Sequence, residues 1–283
     1  MPPINLHQKV REVLRHTQPP HPEAHCPIQH FERAATTGPG LIKYLSDHID
    51  PARVYPAVYE RHMSQLRRMA LADAIESFER FLKEVAAVCI DQLAPYVIDD
   101  RFDEFMPRGE RIAAFVNARS IGKALCESDT WIKNKTINDR FRSLLKEPFG
   151  GDWEYLFPKP NQGPAEERDR AKTLAILWQL RHNLAHNVGA LTHSDAMKFR
   201  LLIGSHVTAE HSLVPTRDDL RFVGRFLSET ALRTNERIGL RLATLLTALH
   251  QGDATLFDAQ DTADEVSRRF NRSLAIDGCA GVL

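Results

Sequence analysis

The chain lacks any excess of charge of one sign. Across 283 residues, lysine plus arginine number 37 and aspartate plus glutamate number 37. A domain that coats nucleic acid by bulk positive charge is excluded, so any contact with a polyanion must come from a local patch. Long hydrophobic runs are also missing. None approaches the roughly 18 apolar residues that a membrane span requires, and the opening MPPINLHQKVREVLRH has no apolar core of signal-peptide length. The expectation is a soluble, cytoplasmic protein. Cysteine is scarce and scattered, at Cys26, Cys89, Cys126 and Cys279, with no CxxC pair. That argues against a zinc ribbon or a redox motif and for reduced cytosolic thiols. There is no HEXXH and no internal repeat, and strand signals are sparse.

What remains is helical periodicity. Residues 69–93 place Leu71, Ile75, Phe78, Leu82, Val85, Cys89 and Leu93 at three- and four-residue spacing, the sign of one buried stripe. Glu76, Glu79, Arg80, Lys83 and Glu84 fall largely off it, and Pro95 stops the helix. Short helices are expected over 39–50, 115–126, 137–145 and 196–202, the last capped by Ser194. A longer one starts at Glu166, and 217–249 reads as one helix, or two joined near Gly239, with an apolar face that includes Phe222, Phe226, Leu227, Leu232, Ile238 and Leu242. Residues 204–214 suggest a small hairpin or extended loop. The expected class is all-α, a helical bundle with an N-terminal helical extension over 1–65, a main domain over 66–250 and a polar tail over 251–283 with a short helix at 262–274. The stretch from His21 to His30, with Cys26, resembles a metal cluster only in composition; prolines interrupt it, and a polar loop is the better reading.

One stretch carries chemistry. Arg181-His182-Asn183-Leu184-Ala185-His186-Asn187-Val188-Gly189 follows the apolar run from Leu174 to Leu180. Arginine presents a planar cationic fork that matches phosphate oxygens. Histidine exchanges protons near neutral pH, and asparagine orients a neighbour through its amide. Together these types suit metal-free phosphodiester cleavage: a base takes the proton of a ribose 2′-hydroxyl, the arginine holds the phosphate, and a protonated histidine assists the leaving 5′-oxygen. His182 and His186, four apart, share one helix face, whereas Arg181 and His186 lie about 140° apart in projection. The structural alternatives are an arginine answering the helix dipole and a cap formed by Asn187 and Gly189. Composition alone leaves both readings open.

The string from Arg181 to His186 resembles the signature of the HEPN superfamily: an arginine, four to six intervening residues beginning with a polar one, then a histidine. Glu79-Arg80-Phe81-Leu82-Lys83-Glu84 is similar to a secondary HEPN pattern on an early helix, and the layout after Gly189 looks like that of RiboL-PSP-type members. The likeness spans about 65–250. It implies a HEPN-like helical bundle and a homodimer with one composite site, acting without metal or cofactor as an endoribonuclease in bacterial antiviral defence or a toxin–antitoxin system. Its partners would be RNA and an antitoxin or regulatory protein. Arg181 and His186 would be the catalytic pair, with Asn183, His182 and Glu79 accessory and Glu79 placed to brace Arg181. The alternative within the family is an inactive module that binds RNA, nucleotide or a partner protein. A third reading, outside the family, is a metal-dependent hydrolase using His182 and His186.

Two further features fit a polyanion ligand. Arg217, Arg221 and Arg225 recur every four residues, as do Arg233, Arg237 and Arg241; such rows can track phosphates. Interleaved Asp218, Asp219, Glu229 and Glu236 make a salt-bridged surface an equal reading. Trp131 and Trp153 could stack on unpaired bases or belong to the core.

Overall fold

A computed structural model describes residues 26–50, 54–97, 100–105, 121–126, 130–146, 155–159, 162–187, 190–253, 255, 262 and 264–265. In chain order the helices are α1 (Pro27–His48), α2 (Pro56–Leu93), a 3₁₀ turn (Asp100–Phe105), α3 (Ile121–Cys126), α4 (Asn134–Leu144), α5 (Ala165–His186), α6 (His193–Ile203) and α7 (Arg217–Gly252). Among the described residues there is no strand ladder, so the class is all-α. No described helix is long and apolar enough to cross a membrane.

The centre is α2. It packs on α1, α3, α4, α5 and α7. The stripe expected over 69–93 is buried throughout: Ile75, Phe78, Leu82, Val85, Cys89 and Leu93 are 0% exposed, and Leu71 is 5%. Phe31 of α1 sits edge-on to Phe78 at 5.8 Å and also meets Phe81, while Trp178 of α5 lies 6.0 Å from Phe78. Aromatic pairs at such spacing add directional preference to plain area burial.

Several expectations change. The expected boundary near residue 65 falls inside α2, which begins at Pro56, and α1 contributes Ile28, Phe31, Ala35 and Ile42 to the same core cluster. The N-terminal helix is therefore part of the bundle. Proline at the first helical position starts both α1 and α2, where its missing N–H costs nothing. Pro39, where the helix expected over 39–50 begins, lies inside α1. An internal proline costs about 3 kcal/mol, but apolar anchors on both sides of it, Phe31 and Ala35 before and Ile42 after, hold the helix on its neighbours. Residues 27–30 of the expected polar loop are the first turn of α1, and residues 21–25 lie outside the described ones. Cys26 is disulfide-bonded, against the expectation of reduced thiols, while Cys89 and Cys126 are free and buried. Burial, with Cys126 nearby, pushes the Cys89 thiol far above its ordinary value.

Of the hairpin or extended loop expected over 204–214, the structure shows one isolated antiparallel bridge, Ala190 with Ser212. The cap of α6 is Thr192, whose hydroxyl accepts from the Asp195 N–H, rather than Ser194. Helix α7 runs unbroken through Gly239. Its buried face is Leu220, Val223, Leu227, Ala231, Ile238, Leu242 and Leu245, whereas Phe222 and Leu232 are 61% and 52% exposed. Each is one residue, about 100°, from a buried neighbour, so the helix turns them outward. Most of the short helix expected at 262–274 lies outside the described residues.

Where α3 crosses α2 only glycine fits. A Cβ on Gly122 would lie 2.0 Å from the Ala87 carbonyl oxygen, and the Gly122 N–H donates to Asp91 Oδ1 at 2.7 Å. Gly122→Ala must push backbone from backbone. It is expected to cost about 1–3 kcal/mol, as overpacking does, read as a lowered urea midpoint with an unchanged slope.

Candidate active site

The motif occupies the last turn and a half of α5. Helix α5 begins with Glu166 and Glu167 in its first turn and ends at His186, with Asn187 as C-cap. Its apolar run buries Leu174, Leu177 and Trp178, and the Trp178 indole N–H donates to Asn134 Oδ1 at 3.0 Å. Those contacts fix which way the polar end points.

The polar end divides into two parts. Gln179, Asn183 and Asn187, four residues apart, form one stripe, and all three amides donate to a single carboxylate on α6. Gln179 Nε2 reaches Asp195 Oδ1 at 2.9 Å; Asn183 Nδ2 and Asn187 Nδ2 reach Asp195 Oδ2 at 3.1 and 2.8 Å. The Thr192 hydroxyl adds 2.7 Å, and Lys198 Nζ stands 3.7 Å away. Asn183 is fully buried and also donates to the Ala190 carbonyl at 2.8 Å. Asp195 is 2% exposed. Burial alone pushes its carboxyl up, but the hydrogen bonds from Thr192 and Asn183 and the charge of Lys198 outweigh that and hold it below the usual carboxylate range. Asn183, expected as an accessory residue, clamps α5 to the start of α6.

The other part faces outward. His186 is exposed and His182 half-buried. Their rings pack 4.7 Å apart, tilted by 52°, as the four-residue spacing requires. Arg181 projects elsewhere: its Nε lies 3.3 Å from Glu76 Oε1 on α2, without a directed hydrogen bond. The brace on Arg181 is therefore Glu76. Glu79, three residues on, turns inward and is 6% exposed. It accepts from the Trp131 N–H at 2.8 Å and pairs with Lys83 at 3.2 Å. A buried carboxylate needs such partners, and here they anchor the segment before α4.

The second arginine row has structural work. Arg233 bridges Glu166 at 2.7 Å and Glu167 at 3.1 Å; Arg237 donates to the Leu156 and Tyr155 carbonyls at 3.2 Å; Arg241 donates to the Leu145 carbonyl at 3.3 Å. In the first row Arg221 pairs with Asp218 at 3.3 Å, and Arg217, Arg221 and Arg225 are exposed. Trp131 is fully buried beneath Arg140, 4.7 Å from the guanidinium, so it belongs to the core; Trp153 lies outside the described residues.

Among the described residues no three His, Cys, Asp or Glu side chains gather in a cation-holding group. His30 is engaged with Glu84 at 2.9 Å. The residue that sequence reading missed is Asp195. Its signal was the amide stripe 179-183-187 followed eight residues later by an aspartate at N3 of a short helix. No family model, curated protein or solved structure matches this chain.

Asp195→Ala leaves the buried Asn183 amide without one acceptor and is expected to cost about 1–3 kcal/mol. The carboxyl is held below its unfolded value near 3.9, so its contribution is present above that pH and is lost as pH falls through the folded value. Denaturation across pH 2–6 is expected to show a shallower acid limb for Asp195→Asn than for the wild type.

Proposed function

We propose that the chain is a metal-independent endoribonuclease of the HEPN type, with Arg181 and His186 as its catalytic pair. The observation that carries this reading is the partition of the motif. The Gln179, Asn183 and Asn187 amides are spent on Asp195, while His182 and His186 stay accessible at the helix end and Arg181 is held from the side by Glu76. A purely structural cap would have no use for two accessible imidazoles on a clamped turn.

In this mechanism one imidazole removes the proton from the ribose 2′-hydroxyl. The resulting alkoxide attacks the adjacent phosphorus, the 5′-oxygen leaves with a proton from a second imidazole, and a 2′,3′-cyclic phosphate forms. Arg181 takes up the charge growing on the phosphoryl oxygens, exchanging Glu76 for the phosphate. Arg181 and His186 leave the helix in different directions. A second copy across a two-fold axis completes the cleft, so the active form is a homodimer. An activity of this kind in a cell needs restraint by an antitoxin or a trigger, as in antiviral defence or a toxin–antitoxin pair.

Cleavage of unstructured RNA in EDTA tests the assignment. His186→Ala and Arg181→Ala should each lower the rate by about 10²–10⁴, with a cyclic-phosphate product in the wild type. Undiminished cleavage by both variants would sink it. Tight RNA binding with no cleavage by the wild-type dimer would instead point to the inactive binding module.

A further inference from the structure

We infer that a cleft between α1 and the start of α7, at a site separate from the α5 motif, binds a small organic phosphate with a flat or apolar body, the class to which nucleoside mono- and diphosphates belong. The cleft, open to solvent on one side, offers about 340 Å³ and is lined by Pro39, Gly40, Ile42 and Lys43 of α1 and by Arg217, Leu220 and Arg221 of α7. Ligand pockets run from roughly 300 to 1,000 Å³, so this one suits a single small molecule. The lining divides by chemistry. Ile42 and Leu220 are buried and Pro39 half-buried, giving an apolar floor, while Lys43, Arg217 and Arg221 stand exposed around it.

The charges are available to a ligand. Among the described residues Lys43 and Arg217 make no ion pair or hydrogen bond, and Arg221 pairs with Asp218, itself on the solvent side of the helix. The backbone of α7 has little left to offer an anion. A capping box in its first turn has Thr216 and Asp219 satisfy each other's N–H groups. Recognition therefore falls to the three side chains, with arginine suited to phosphate oxygens in pairs and lysine as a point charge. Gly40 keeps the mouth clear: a Cβ there meets nothing within 4 Å.

An RNA strand is a poorer fit than a small ligand. Arg225, the next member of the row, is not part of the lining. Beyond it the second arginine row is committed to Glu166, Glu167 and main-chain carbonyls. Among the described residues no continuous cationic track leaves the cleft along α7.

The test is a fluorescence titration of the full chain with N-methylanthraniloyl-ADP, competed by ADP, inorganic phosphate and a single-stranded RNA dodecamer. Saturable binding is expected, displaced by ADP at lower concentration than by phosphate. The double variant Lys43→Glu/Arg217→Glu should weaken binding by about tenfold or more, as loss of charge-assisted contacts implies. Gly40→Trp should weaken it by filling the mouth while leaving all three cations in place. Both changes are on exposed helix positions, and replacing glycine favours the helix, so thermal unfolding should stay near wild type. Arg181→Ala should leave binding unchanged, which separates this site from the proposed nuclease centre whatever the fate of that assignment. Absence of saturable binding, indifference to both cleft variants, phosphate competing as well as ADP, or the RNA displacing the probe more tightly than ADP would each overturn the inference.

Discussion

Everything in this fold leans on a single helix that has little free surface in its second half. Along α2 the buried residues are not one stripe but nearly a full circumference, with Phe81, Leu82, Val85, Ala86 and Ala87 all withdrawn from water. Helices pack on it from several sides. A helix covered on that many faces cannot keep all of its polar residues at the surface. Glu79 is the consequence. Its carboxylate sits in the core because the turn it occupies is covered, and it is tolerable because the Trp131 N–H and Lys83 meet it there. Glu76, one turn earlier, is half exposed and free to reach across to Arg181 on α5.

A second constraint acts on the connecting segments. Short helices and loops leave main-chain carbonyls that the helices themselves do not satisfy. Arg237 and Arg241, one turn apart on α7, supply donors to Tyr155, Leu156 and Leu145. Asn138 of α4 closes the same seam from the other side, accepting from the Phe157 N–H at 2.9 Å and donating to its carbonyl at 2.7 Å. A row of arginines at helical spacing thus has a reading other than phosphate tracking: it pins loops to a helix. Which reading holds depends on what lies within reach, and spacing carries no information about that.

The same distinction explains what was legible beforehand. Periodicity in 69–93 and 217–249 reflects burial directly, so the class and the long helices could be read from spacing. Two proline positions misled: Pro27, counted among the prolines of a polar loop, is the first residue of α1, and at Pro39 packing on both flanks carries the helix through. The candidate site was legible only as a list of residue types. That Asn183 would be buried, that Glu76 and not Glu79 would meet Arg181, and that Asp195 would gather three amides are all matters of which elements end up adjacent. Residues 76 and 181, or 183 and 195, belong to different helices, and the docking of those helices is set by apolar side chains elsewhere.

The clamp on Asp195 bears on how the proposed chemistry would work. Helix ends fray, and a histidine on the last turn of an isolated helix would sample many positions. Three amide donors from successive turns of α5 meeting one buried carboxylate remove that freedom, since the last of them, Asn187, lies beyond His186. The imidazoles are then mobile only about their own side-chain torsions. Proximity effects in catalysis depend on freedom lost before the substrate arrives. By contrast Arg181 is held by a half-exposed carboxylate through an ion pair with no directed hydrogen bond, a contact of the kind worth at most about 1 kcal/mol. A phosphate can displace it at little cost. Histidines on a held backbone beside an exchangeable arginine is the arrangement that a phosphodiester cleft formed by two copies would need, because the backbone must be fixed before the halves meet and the cation must be free to leave its own subunit's carboxylate once they have.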